Sequence, residues 1–346
     1  MSRRRLLIAA LGGVFALATF AYFLPQIADY RDVWGVLKGV GWTWALGLAA
    51  ATALNLVTFA PPWQVVLPGL EFRSALILTQ VSTALAIIVP AGAAVGIAGA
   101  YGILRRWGFR AGEIGRAVTL VSLWNQFANL SYPVIAVVLL AAAGGASPVL
   151  RTAGIVGGAI LLAAVAALAA VLSTDRTATG IGDVVARAAN RALVVLRRKP
   201  VLWGGESFGR FRGEAVDLLR RRWHVLTLAT YAGTLTVFLV LLVALRALDV
   251  PGSEVSAVEA FAGWSLARLL GTVPITPGGI GVVELGLTGA LVGFGGNNAG
   301  VVAAVLVYRF LTMVPTIAFG LLAATAVRGG GTSPESRSRS ADVSQA

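Results

Sequence analysis

A stretch rich in proline and glycine, residues 273–284, interrupts one of the long hydrophobic segments of this chain. Pro274 and Pro277 cannot continue a helix, because each lacks a backbone N–H and its ring clashes with the preceding turn. The glycines that follow permit a tight reversal of the chain: Gly278, Gly279 and Gly281. In a bilayer core, a broken helix is tolerated only inside protein or beside a water-filled cavity. The pattern predicts either a structural kink or a broken helix of the kind that forms transporter sites.

Composition indicates an integral membrane protein. Of the 346 residues, 57% are hydrophobic and 12% are charged, and the mean hydropathy is +0.82. A span needs about 20 apolar residues to cross a hydrocarbon core of roughly 30 Å. Uncharged runs of at least about this length recur at residues 6–24, 42–70, 117–150, 152–174 and 225–245. The sequence therefore predicts an all-α polytopic membrane protein.

The positive charge indicates contact with lipids. The net charge is +13, and arginines in short loops carry most of it. This placement favours a role in orientation and in contact with anionic headgroups, so we expect anionic membrane lipids, and no nucleic acid, as partners. The chain has no cysteine, and its one histidine, His224, begins a span beside three arginines. No metal site or cofactor is predicted.

The two ends of the chain are predicted to be cytoplasmic. Arg3, Arg4 and Arg5 precede the first apolar run, which lacks a small-residue cleavage site and is interpreted as a retained helix. Arg328 follows the last span. We expect a transmembrane domain over residues 1–327 in the cell (inner or plasma) membrane, and a disordered tail at residues 328–346.

Residues 74–104 are predicted to form a re-entrant hairpin. This stretch is uncharged, and as one straight helix it would measure about 46 Å, which is far longer than a bilayer core is thick. If it crossed, the arginines that follow and the basic loop at residues 173–223 would lie outside. A turn near Pro90 and Gly92 keeps these charges in the cytoplasm. An amphipathic helix at residues 181–196 of that loop, or a solvated basic linker, fits equally.

A second hairpin is predicted at residues 257–294, entering from the opposite side, which gives about six crossings and two hairpins. The spacing Ser82…Pro90…Phe109 is similar to Ser265…Pro274…Phe294. An inverted repeat, as found in transporters, is one hypothesis. A chance match between two apolar segments is the other.

Three charged residues are predicted to lie inside the membrane: Arg268, Glu284 and Arg309. Such charges are costly and are usually functional. Two cations and one anion leave a positive surplus, which suits an anion such as a lipid phosphate. Glu284 can also act only as a favourable first-turn residue of a helix.

Amide side chains are clustered in the third crossing, at Asn125, Gln126 and Asn129. They are candidates for lining a polar pathway. Hydrogen bonding to neighbouring helices is the alternative.

These residues resemble the flippase-like transmembrane domain of bacterial lysylphosphatidylglycerol synthases and their shorter relatives. The family motif Pro-x-x-Pro-Gly-Gly-x-Gly-x-x-Glu is matched by Pro274, Pro277, Gly278, Gly279, Gly281 and Glu284. Arg268 and Arg309 match the arginines before it and in the last span, and Pro90 to Gly92 resembles the first break. The charges expected after that break are displaced to Arg105, Arg106 and Glu113.

The resemblance covers residues 6–327 and implies movement of a lipid or lipid-linked sugar between leaflets, with the headgroup held at the paired helix breaks. In the synthases an aminoacyltransferase domain follows, whereas here 18 residues follow Arg328, so no synthase activity is expected. The alternative is a non-transporting partner of a lipid-modifying enzyme or glycosyltransferase. A lipid-modifying membrane enzyme is disfavoured, because the sequence offers no nucleophile–base pair or metal cluster.

Overall fold

The computed structural model describes residues 39–89, 92–144, 148–174, 205–272 and 277–326, with scattered positions between 176 and 190. The helices are α1 (Trp42–Thr58), α2 (Pro61–Val66), α3 (Phe72–Ile88), α4 (Gly92–Arg106), α5 (Ala111–Ala142), α6 (Pro148–Ser173), α7 (Gly205–Ala247), α8 (Ala257–Thr272), α9 (Val282–Gly293) and α10 (Asn298–Ala326). The predicted first span, most of the predicted surface helix and the tail lie outside the described residues.

The described chain is helical and contains no strand, as predicted. Within it, four helical segments are long and apolar enough to cross a bilayer: Trp42–Val66, Ala111–Ala142, Ala215–Ala247 and Asn298–Ala324. Shorter apolar helices include Phe72–Ile88, Gly154–Ala170 and Val282–Gly293. The protein is therefore an all-α polytopic membrane protein.

The predicted span at residues 42–70 is broken in the middle. α1 ends at Thr58, and Pro61 begins α2 at a position where its missing N–H costs little. The carbonyls freed by the break bind side chains of α3: the Phe59 carbonyl accepts a 3.3 Å bond from Thr79, and the Leu56 carbonyl accepts a 2.8 Å bond from Gln80. The break thus joins α1 to α3.

α7 is much longer than the predicted span at residues 225–245. It runs from Gly205 to Ala247, which corresponds to about 65 Å of helix. Its first part is basic and extends past the apolar span. There Arg212 donates hydrogen bonds to the carbonyls of Leu172 (3.2 Å) and Ser173 (3.1 Å) at the end of α6.

α3 and α4 fold back on each other, as the hairpin hypothesis predicts. A Cβ at Gly96 would lie 2.7 Å from the Ser82 carbonyl oxygen, and one at Gly99 would lie 2.6 Å from Leu85 Cδ1. Only glycine allows the two arms to approach this closely. The hairpin therefore returns to the end where it begins, which places Arg73 and Arg105 together. We call this end of the bundle the basic end.

The sidedness of this hairpin can be measured with single cysteines, because the natural chain has none. We expect Arg73→Cys and Arg110→Cys to react with an impermeant maleimide from the same, cytoplasmic, side of membrane vesicles. Ser253→Cys, in the loop between α7 and α8, should react only from the other side. Labelling of the Arg73 and Arg110 variants from opposite sides would contradict a re-entrant hairpin.

α8 and α9 form the second hairpin. A Cβ at Gly286 would lie 2.7 Å from Leu270 Cδ1 of the opposite arm. The ends of this hairpin are joined through Asn297, whose side-chain amide donates 2.8 Å bonds to Glu254 and to the Asp249 carbonyl. These loops follow the C-terminal end of α7, so the second hairpin begins at the end of the bundle opposite the basic end.

The two hairpins are covered reciprocally. α3 packs against α10, the span that follows the second hairpin, while α8 packs against α5, the span that follows the first. α1 and α7 also pack against each other. The crossing of α3 and α10 is tight, because a Cβ at Gly320 would lie 2.5 Å from Ala84 Cβ. Each hairpin is therefore packed against the span that follows the other hairpin.

Two hydrophobic clusters stabilise the bundle. One joins α1, α5, α7, α8, α9 and α10 and includes the buried Tyr132 and Trp264. The other lies toward the basic end and joins both arms of the first hairpin to α2, α5 and α7. Gly278 of the second hairpin lies next to Ile87 of the first.

Candidate substrate-binding cavity

A cavity of about 360 Å³ lies where the two hairpins meet. α1, α3, α8 and α10 form its walls, with Gly278 at the tip of the second hairpin. Its polar lining includes Asn55, Thr79, Gln80, Thr83, Thr312 and Thr316. Two arginines and no carboxylate are among the described residues that line it. The cavity therefore combines positive charge with hydroxyl and amide groups.

The tip of the second hairpin is built by glycine. Gly278, Gly279 and Gly281 have φ angles of +62°, +68° and +86°, which other residues rarely adopt. This turn places Gly278 beside the first hairpin, since a Cβ there would lie 3.3 Å from Ile87 Cγ2. It also starts α9 so that Glu284 accepts a 2.7 Å hydrogen bond from the Gly281 N–H.

Arg309 is paired with Glu284. Its Nε donates to Glu284 Oε1 at 2.6 Å, and a terminal nitrogen donates to the Gly278 carbonyl at 2.7 Å. Both side chains are buried, with exposed fractions of 9% and 3% for Arg309 and Glu284. The pair is neutral as a unit, and it fastens the last span to the tip of the second hairpin.

Arg268 is held without a carboxylate. Its Nε and a terminal nitrogen donate to Asn129 Oδ1 at 3.1 and 2.7 Å, and its guanidinium lies 5.1 Å from the centre of the Trp264 ring. Among the described residues it forms no ion pair. The positive surplus that the sequence assigned jointly to two arginines is therefore located on Arg268.

Aromatic rings support Arg268 from behind. Trp264 lies 5.2 Å from Tyr132, 5.5 Å from Phe238 and 5.7 Å from Phe261, measured between ring centroids. Such a cluster fixes the Trp264 ring through many tilted contacts. The guanidinium is therefore preorganised, and it keeps donors free for an anion because Asn129 occupies only part of its five-donor fork.

The structure brings together several residues that the sequence singled out. Arg268, Asn129, Gly278 and Arg309 line the cavity, and Glu284 lies directly behind Arg309. Pro277 begins the short 3₁₀ turn at the tip and Gly279 ends it, and Gly281 is the N-cap of α9.

Other candidates lie elsewhere. Asn125 donates to the Val121 carbonyl of its own helix and is absent from the cavity lining. Gly92 opens α4, where the Ala86 carbonyl oxygen leaves no room for a Cβ, and it does not line the cavity. Pro90 and Pro274 lie outside the described residues.

Three polar residues of α3 were not predicted: Thr79, Gln80 and Thr83. Their helical spacing on an uncharged hairpin arm could have indicated that they line a polar cavity. Gln80 is buried, and its side-chain oxygen has no hydrogen-bond partner among the described residues.

Comparison with known protein families gives a match over most of the chain. The family model described as the lysylphosphatidylglycerol synthase TM region matches residues 6–320, which include both hairpins and the cavity. No curated protein matches the chain.

Proposed function

Because the chain belongs to the family of the lysylphosphatidylglycerol synthase transmembrane region, we propose that it moves an anionic lipid, or a lipid-linked glycan, between leaflets. The headgroup binds in the cavity between the hairpins, and the acyl chains stay in the bilayer. Membrane proteins of this family are linked to lipid modification and flipping, and the cavity supplies the chemistry that supports the lipid-moving role.

Arg268 is the observation on which the proposal rests. An unpaired cation within a membrane bundle is costly, and it is retained where a ligand or water compensates it. A phosphate group fits, because a guanidinium binds phosphate with several charge-assisted hydrogen bonds. A protein that only anchors an enzyme does not need an unpaired arginine at the junction of two broken helices.

The arrangement of the hairpins supports movement. They begin at opposite ends of the bundle, and their tips meet at the cavity. In transporters with inverted repeats, such a central site opens alternately to the two sides as one repeat moves against the other. In this proposal, the contact between Gly278 and Ile87 separates the two routes.

Leaflet exchange in proteoliposomes tests the proposal. Fluorescent phosphatidylglycerol should exchange at least about tenfold faster than phosphatidylcholine, because the quaternary ammonium of phosphatidylcholine offsets the charge of its phosphate. A tenfold preference corresponds to about 1.4 kcal/mol, and one uncompensated charge contact near a protein surface supplies more. Protein-free liposomes provide the background rate. If folded protein exchanges none of the anionic lipids or lipid-linked glycans tried, the role of enzyme partner replaces this proposal.

A further inference from the structure

We infer that a polar stripe on α5 guides the lipid headgroup laterally from the leaflet at the basic end into the cavity. The stripe consists of Thr119, Ser122, Gln126 and Asn129. This inference rests on the proposed function, and it adds the route that the headgroup takes and the residues that line that route.

The stripe lies on one face of the helix. Its spacing of three, four and three residues follows the helical period, and it covers about 15 Å of helix, or half of a 30 Å hydrocarbon core. Thr119 and Gln126 are exposed, while Ser122 and Asn129 are partly buried. An exposed amide near the middle of a membrane-spanning helix is costly in hydrocarbon, so this face is expected to contact water or headgroups.

Hydrogen bonds connect the stripe to Arg268. The Gln126 side-chain oxygen accepts a 3.1 Å bond from the Asn129 amide, and the Asn129 oxygen accepts both bonds from Arg268. A continuous set of polar groups therefore leads from the exposed face of α5 to the unpaired cation.

The first two hydroxyls of the stripe are available to a ligand. In most other spans, threonine hydroxyls bond to a carbonyl of their own helix, as Thr52 does to Leu48 and Thr227 does to Trp223. Thr119 and Ser122 form no side-chain hydrogen bond with any residue that the structure describes. The stripe thus offers donors along its length to a passing phosphate.

The charge of the basic end favours an anionic phospholipid as the ligand that enters this route. Arg105, Arg106 and Arg110 are exposed where α4 joins α5, within a few turns of Thr119. Exposed arginines at a membrane surface concentrate anionic headgroups. The path therefore starts in a region rich in such lipids and ends at Arg268.

Cysteine reactivity tests whether the stripe is hydrated. We expect Ser122→Cys and Gln126→Cys to react with a water-soluble maleimide in liposomes at least ten times faster than Leu228→Cys. Leu228 is a matched control, because it is 72% exposed and its neighbour Thr227 accepts a 2.9 Å hydrogen bond from Trp124, which fixes its depth. Equally slow reaction at all three positions would overturn the inference, because it would show that water does not reach the stripe.

Exchange measurements separate the route from the function. Gln126→Leu combined with Ser122→Leu should slow phosphatidylglycerol exchange at least fivefold, whereas Leu228→Ala should not change it. If the double variant exchanges at the natural rate while Arg268→Gln does not, the function stands and the route is wrong. If neither the natural protein nor any variant exchanges lipid, the proposed function fails, and the headgroup route fails with it.

Discussion

Replacing Arg268 with glutamine is expected to reduce the exchange of anionic lipid at least about tenfold, with the fold preserved. Glutamine can still donate a hydrogen bond to Asn129, but it removes a cavity cation that has no carboxylate partner among the residues that the structure describes. The lost attraction for a phosphate at 4 Å is about 4 kcal/mol at an effective dielectric constant of 20. Phosphatidylcholine exchange should change much less, which makes the ratio of the two rates the informative quantity.

Two further variants make this result specific. Asn129→Asp places a carboxylate against Arg268 and should suppress exchange almost as strongly, although the arginine remains. Arg187→Gln removes an exposed arginine outside both the cavity and the proposed route, and should retain at least half of the rate. Exchange that is insensitive to both Arg268→Gln and Asn129→Asp would show that the headgroup binds elsewhere.

The second large effect concerns stability. Glu284→Gln leaves Arg309 buried without its counter-ion, and breaking a buried pair in this way typically costs about 3–5 kcal/mol. It also weakens the hydrogen bond that starts α9 at Gly281. Unfolding of the detergent-solubilised protein, followed by tryptophan fluorescence, should show this loss. Asp217→Asn, an exposed change on α7, should stay within about 0.5 kcal/mol of the natural protein.

A double replacement separates structure from function at this pair. Replacing Glu284 with leucine and Arg309 with methionine removes both charges, so most of the lost stability should return. If this variant still exchanges lipid, the pair fastens the hairpin tip and does not bind the headgroup. A Glu284→Gln protein as stable as the natural one would contradict the buried ion pair itself.

Sequence reasoning located both hairpins because proline, glycine and charge act locally. Pro274 and Pro277 exclude a continuous helix wherever they occur, and the arginines after residue 104 fix the side to which the chain must return. The sequence did not distinguish Arg268 from Arg309, because each is a single cation in an apolar segment. Their difference is tertiary: the glycine turn brings Glu284 and the Gly278 carbonyl to Arg309 alone.

Two elements were misjudged for a different reason. Hydropathy describes where a helix meets lipid, not where it begins, so α7 extends about twenty residues before its predicted start. The predicted span at residues 42–70 was instead too long. It is uncharged and long enough to cross the bilayer, so it was interpreted as one helix, although Pro61 and Pro62 divide it into α1 and α2. The break matters for the site, because it presents carbonyls to Thr79 and Gln80.

The reciprocal packing of the hairpins sets an order of events during synthesis. α3 is completed at Ile88, but α10, the span that covers it, begins about 210 residues later at Asn298. At common translation rates this interval is roughly 10 to 40 s. Throughout it, the polar residues of α3 are in the membrane without their final neighbour. α10 therefore closes the first hairpin, and the cavity forms only after a helix encoded about 210 residues downstream has been synthesised.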